Sequence, residues 1–222
     1  MRGLKSFIKK RYSKEEFAWI MQDWANSVYS LMITTAIFPL YFKTVSSNAG
    51  ISAADSTAFL GYANSIATFA VSIMAPVLGA LADYKGYRNP MFTWSTLLGV
   101  FSVIGMMFAE TDQWILLLAL YTLSAIGYSA SNIFYDSSIM DVTTYDRMDR
   151  ISAAGYGYGY IGSVFPFVLF MMIMQFSSLN SNAIVMVGFF ITAAWWFIFT
   201  VPYWLYVSQK SFIEKPKKPI KE

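Results

Sequence analysis

Long uncharged runs alternate with short charged ones along this chain. The runs lie near 24–44, 57–82, 90–109, 113–137, 155–176 and 183–207. At about 1.5 Å of rise per residue, each is long enough as a helix to cross a hydrocarbon core of about 30 Å. The pattern therefore predicts six membrane-spanning helices in 24–207. A terminal segment, 1–23, precedes them and a basic tail, 208–222, follows. "RYSKEEFAWIMQ" alternates charge and bulk at helical spacing, which predicts a surface helix leading into the first span.

The spans differ in the side chains they carry. On the first, Asp23, Asn26, Ser27, Ser30 and Thr34 fall on one helical stripe. The fourth repeats this with Ser124, Tyr128, Ser131, Asn132 and Tyr135, and Asp136 lies beside them. Polar groups turned toward lipid would go unsatisfied, so both stripes should face protein or a water-filled cavity. The second span carries a small-residue seam of Gly61, Ser65, Thr68, Ser72 and Pro76, and the fifth carries Gly155, Gly159, Gly162 and Pro166. Such seams allow close packing of helices, either fixed or moving. The third and sixth spans are apolar all round and are expected to face lipid, with Tyr203, Trp204 and Tyr206 as an interfacial anchor. The order polar, small, greasy thus occurs twice. A three-helix unit used twice must enter the membrane with opposite orientations, which makes two inverted three-helix repeats.

Composition agrees. Charged residues make up 13% of the 222, against about 25% in an ordinary soluble domain. Fifteen of the 16 Lys and Arg residues fall in the terminal segments or in the turns after spans two and four; Lys43 is the exception. The positive-inside rule then puts both termini in the cytoplasm. Membrane orientation accounts for the basic residues, so the net charge of +3 implies no nucleic-acid partner. The start of the chain lacks the short apolar core and cleavage site of a removable signal peptide. With no cysteine and no histidine, disulfides, thiol chemistry, zinc sites and histidine bases cannot be built from this chain, and no cofactor or metal is expected.

The turn "GALADYKGYRNP" (79–90) joins spans two and three. Gly86 permits a tight reversal and Pro90 suits the first turn of the next helix. Lys85 and Arg88 hold the turn in the cytoplasm, whereas Asp83 has no topological reason to be there. It is expected at a neighbouring helix N-terminus or beside a basic residue, a contact of about 0.3–1 kcal/mol when exposed.

This turn resembles the signature loop of the major facilitator superfamily, with Gly79, Leu81, Asp83, Gly86 and Arg88 matching and Tyr84 and Tyr87 where basic residues are common. The segments "DWANSVYSLMITTAIFPLYF", "GYANSIATFAVSIMAPVLGALADYKG" and "RISAAGYGYGYIGS" narrow the likeness to the vacuole-effluxer-like branch, the autophagy-related permeases. The resemblance implies an all-α membrane protein forming one six-helix half of a major facilitator fold. It also implies that helices one and four line a central cavity, two and five meet the other half, and three and six face outward. Members of the family have about twice as many spans, and the tail "QKSFIEKPKKPIKE" resembles the loop that joins their halves. No Arg or Lys occurs in 113–137, so the superfamily's helix-four arginine is missing and proton coupling through it is not expected. Asp136 stands where a neutral residue is usual, and reads either as a local replacement or as a solvated helix end.

Two functions remain open. One is half of a carrier for a small polar solute, an amino acid among the candidates, paired as a homodimer or with a second six-helix chain. Asn26, Ser30, Thr34, Ser131 and Asn132 are then the expected solute contacts, with Asp23, Asp83, Gly86, Arg88 and Asp136 as gating or coupling residues. The other is a non-transporting membrane protein that binds a partner or lipid. An enzyme is disfavoured, because paired catalytic aspartates would have to lie near mid-membrane, whereas Asp136 is near a helix end and Asp141 and Asp146 lie in a loop. The expected location is the plasma or inner membrane, with the vacuolar membrane as an alternative.

Overall fold

The computed structural model describes residues 11–214, and within them the chain is helical, with no β-strand. Most of the basic residues counted at the two ends, Arg2 to Lys10 and Lys215 to Lys221, lie outside the described residues. Six long helices follow one another: α1 Lys14–Asn48, α2 Ala53–Ala82, α3 Arg88–Met106, α4 Trp114–Ser137, α5 Met148–Phe176 and α6 Ser181–Tyr206. A one-turn helix, Ile139–Val142, and a short 3-10 turn separate α4 from α5. All except α3 are long and apolar enough to cross a membrane. The 19 residues of α3 begin with Arg88, Asn89 and Pro90, which lower its mean hydropathy.

Local chemistry sets the ends of these helices. Ser13 and Glu16 form a capping box at the start of α1: Glu16 N–H donates to Ser13 Oγ (3.0 Å) and Ser13 N–H to Glu16 Oε2 (2.8 Å). This cap starts α1 ten residues ahead of the span expected from residue 24, so the amphipathic lead-in and the span are one rod. Within the rod, Tyr29–Ile37 is π-helical, and Phe38 N–H reaches back to Ile33 O. Pro39 follows directly. A proline ring collides with the carbonyl four residues before it in an α-helix, and the wider turn relieves that collision. At the other punctuation points, Gly50 and Gly86 have φ of 79° and 80°, which close the turns after α1 and α2 in a conformation that disfavours side chains.

The tightest packing joins α3 to α4. A Cβ on Gly127 would lie 2.5 Å from Gly99 N and 2.8 Å from Ser95 O, so the two backbones are in contact there. The main core gathers Tyr29, Phe38, Phe42, Tyr121, Phe189 and Trp196, and a second cluster of Trp19, Phe92, Phe134, Tyr135 and Tyr203 lies nearer the two termini.

The two small-residue seams have different fates. Gly61, Ser65, Thr68, Ser72 and Pro76 of α2 are exposed and carry no partner from the described residues, while the other side of the helix is buried through Ala63 and Ala67. The seam of α5 instead docks inside the bundle, contrary to expectation. Gly155, Gly159 and Gly162 press on Asp23, Ser27 and Trp24 of α1, and the first-span indole and carboxylate fill the room a side chain would need. Tyr156, Tyr160, Val164 and Phe165 form the exposed side of α5. Neither α3 nor α6 is apolar on all sides in its packing: each buries hydroxyls and glycine inward, including Thr96, Thr192 and Thr200, and exposes large apolar groups outward. Tyr203 is likewise no interfacial anchor, because its ring is buried on Phe92 with centroids 4.1 Å apart. Tyr206 remains half exposed.

Candidate functional site

The polar stripes of α1 and α4 meet. Asn26 Nδ2 donates to Asn132 Oδ1 at 2.6 Å, which joins the two helices across the wall of a cavity of about 790 Å³. Asp23, Ser27 and Ser30 from α1 and Tyr128, Tyr135 and Asp136 from α4 continue that wall, and α5 closes it with Ser152, Tyr156, Tyr160 and Ser163. Above the asparagine pair the same two helices are clamped by aromatic rings. Tyr29 stacks on Tyr128 with centroids 4.7 Å apart. Ser124 gives its proton to the Tyr121 carbonyl, so the Tyr29 hydroxyl is the donor in the 2.7 Å Tyr29–Ser124 bond. At the opposite end Trp19 stacks on Tyr135 at 4.4 Å and donates its Nε1–H to Tyr135 O.

Five of the sequence-selected residues, Asp23, Asn26, Ser30, Asn132 and Asp136, therefore line one space. Thr34 and Ser131 do not. Ser131 is buried and donates to Tyr128 O at 2.8 Å. Thr34 stands beside the hydroxyls of Tyr29 and Tyr121. The reason is the π-helical turn, which inserts extra backbone after residue 29 and carries the stripe forward by one position. Thr35 lines the cavity instead, with its hydroxyl donating to Ser30 O five residues back.

The signature turn belongs to a separate layer, at the end of the bundle where residues 11 and 214 lie. Arg88 is 1% exposed, and its Nη1 is paired directly with the Asp141 carboxylate, itself 1% exposed. Asp83 is a weaker partner, 55% exposed and 3.6 Å from Arg88 Nη2. Asp141 also accepts the backbone N–H groups of Lys210 (3.0 Å) and Ser211 (2.7 Å), so the segment after α6 is strapped across the turn. Gln209 completes the strap. Its Oε1 accepts from Gly86 N–H and its Nε2 donates to Ala82 O. A second ion pair ties the start of α1 to the α4–α5 connection: Arg147 donates through Nε and Nη2 to both oxygens of Glu16, each at 2.9 Å, and Thr143 adds a bond of 2.7 Å. Neither Asp141 nor Glu16 stood out in the sequence as a site residue. The spacing of Ser13 and Glu16 was the available signal for Glu16, while nothing local distinguishes Asp141 from other loop aspartates.

Among the described residues no group of three or more acidic, cysteine or histidine side chains could hold a metal ion. The site can hydrogen-bond a solute through amides and hydroxyls and can attract positive charge through Asp23 and Asp136.

A family model described as "Vacuole effluxer Atg22 like" matches residues 52–145 and 138–221. An uncharacterized MFS-type transporter, YxiO of Bacillus subtilis (strain 168), is 43% identical over 213 residues. The match covers 94% of this chain and 50% of that relative, so the chain spans about half the length of the curated relative it matches. With its long apolar helices, this makes the molecule a multi-pass integral membrane protein.

Proposed function

We propose a transport role from one premise: the chain belongs to the vacuole effluxer Atg22-like family, within the major facilitator superfamily. It acts as one six-helix half of a secondary carrier, built from two inverted three-helix repeats, and moves a small polar solute by alternating access. An amino acid is the first solute to try. The observation that carries this reading is the Asn26–Asn132 bond in the wall of a polar cavity between α1 and α4. Neutral amides and hydroxyls on Asn26, Ser30 and Asn132 orient the solute, and Asp23 and Asp136 contribute negative charge at the same wall.

The second half is another copy of this chain or a separate six-helix unit. The exposed seam of α2 and the exposed face of α5 are the surfaces it would cover, and its arrival would close the open side of the cavity. Both termini are cytoplasmic in this reading, with 1–23 and 208–222 flanking the bundle 24–207, and the plasma or inner membrane is the favoured location over the vacuolar one. The Asp83, Gly86 and Arg88 turn then lies on the cytoplasmic face. Opening that side would require the Arg88–Asp141 pair or the Gln209 strap to shift, which gives these residues a gating role.

A second reading, a non-transporting protein that binds a partner or lipid, draws on the same uncovered α2 seam. One experiment separates them. The purified chain is reconstituted in liposomes, its mass is measured in mild detergent, and uptake of radiolabelled amino acids is followed. The carrier reading predicts a two-half assembly and saturable flux that Asn132→Leu abolishes. A monomer with no flux for any tested solute supports the binding reading.

A further inference from the structure

The cavity wall has a charge and an aromatic character that a search for neutral polar solutes would overlook. Its carboxylates, Asp23 and Asp136, are accompanied by no lysine or arginine among the lining residues. Trp19, Tyr128, Tyr135, Tyr156 and Tyr160 supply aromatic surface beside them. A cation over such faces is attracted by the ring quadrupole, and the attraction grows when water is excluded.

Tyr135 adds an independent sign. The residue lines the cavity but is 2% exposed, and its buried hydroxyl has the Asp23 carboxylate as a polar neighbour. Stacking on Trp19 fixes its ring. The Tyr135 hydroxyl and Asp23 Oδ2 converge beside Gly155: a Cβ on that glycine would lie 3.3 Å from the first and 2.7 Å from the second. The phenol is placed to orient the Asp23 carboxylate, whose remaining lone pairs are left for a positive charge in the cavity. Among the described residues no group of three or more acidic, cysteine or histidine side chains gathers at this wall to hold a metal ion.

We propose that this cavity selects an organic ammonium cation, held by Asp23, which Tyr135 positions, with Asp136 as a second negative charge and the exposed rings of Tyr156 and Tyr160 as cation–π surfaces. The inference rests on the reading of the cavity as the solute site and narrows its substrate class to organic ammonium cations. Anions find no cationic partner there, and a neutral solute of the same shape leaves the carboxylates uncompensated.

Equilibrium binding of radiolabelled choline to the full chain in nanodiscs tests this without requiring flux. Tetramethylammonium should displace the label. The neutral carbon isostere of choline, with tert-butyl in place of trimethylammonium, should not compete at the same concentration. Asp23→Asn should weaken binding about tenfold, a Coulombic loss at a half-buried site, and Asp23→Glu should recover most of it. Tyr135→Phe keeps the ring stack and should weaken binding several-fold while leaving the melting temperature unchanged. Competition by the isostere equal to that of tetramethylammonium, no choline binding, or wild-type affinity in Asp23→Asn would each overturn the proposal. Ammonium binding without liposome flux would leave the proposal standing and remove the carrier reading. Flux of a neutral solute without ammonium binding would do the reverse.

Discussion

Removing the Asp141 carboxylate should damage this fold far more than removing Asp83, although Asp83 belongs to the signature turn and Asp141 does not. Arg88 is buried, and its strong contact is with Asp141. Its remaining contacts are long: 3.4 Å to Ser137 O, 3.4 Å to Ser211 O and 3.6 Å to Asp83. Asp141→Ala therefore strands a guanidinium in the interior and leaves the N–H groups of Lys210 and Ser211 without their acceptor. Breaking a buried pair by deleting one partner costs about 3–5 kcal/mol, whereas an exposed pair contributes roughly 0–1 kcal/mol. For a chain of this size the larger figure lowers the melting temperature on the order of 10 °C. Melting followed by intrinsic tryptophan fluorescence in detergent measures both variants, since the chain contains seven tryptophans. The double variant Arg88→Met/Asp141→Leu removes both charges at once and should lose less than Asp141→Ala alone. Equal losses in Asp83→Ala and Asp141→Ala, or a double variant worse than the single, would refute the assignment of Asp141 as the partner of Arg88.

Three further outcomes follow from the same coordinates. Gly127→Ala meets backbone atoms of α3 that have no rotamer to change, and should cost about 2–3 kcal/mol in the same melting assay. Gly61→Ala meets nothing within 4 Å, so it should leave the fold as stable or more stable, by up to about 1 kcal/mol from helix propensity, and any effect should appear in assembly mass. Glu16→Gln weakens a bidentate contact with the partly exposed Arg147, for a loss of about 1–2 kcal/mol that high salt should reduce in the parent protein.

The convergence of α1 and α4 was legible in the sequence because helical periodicity places Asp23, Asn26 and Ser30 on one side, and lipid excludes such groups from the other. The exchange of Thr34 for Thr35 was not. It depends on a π-helical turn, and side-chain periodicity carries no mark of where the backbone winding changes. The proline at position 39 was the available hint. Glycine content showed that α5 packs closely, but only the bulk of Trp24 and the position of Asp23 show against what. Tyr203 read as an anchor because it sits in an aromatic cluster at a helix end, and Phe92 supplied a buried partner 111 positions away in the chain. Asp141 was missed for the same reason. Its importance comes from Arg88, Lys210 and Ser211, residues distant in sequence that meet only once the bundle is built.

The central claim is that α1 and α4 turn their polar stripes toward each other across a wet space. The chain has no cysteine, so introduced thiols are unique. A short bis-methanethiosulfonate reacts with thiolates, which form where water reaches the sulfur. Applied to Asn26→Cys/Asn132→Cys in membranes, it should cross-link the pair in high yield. It should leave Asn26→Cys/Leu123→Cys unlinked, since Leu123 lies on the exposed apolar side of α4. Linking of the Leu123 pair with none of the Asn132 pair would contradict the account.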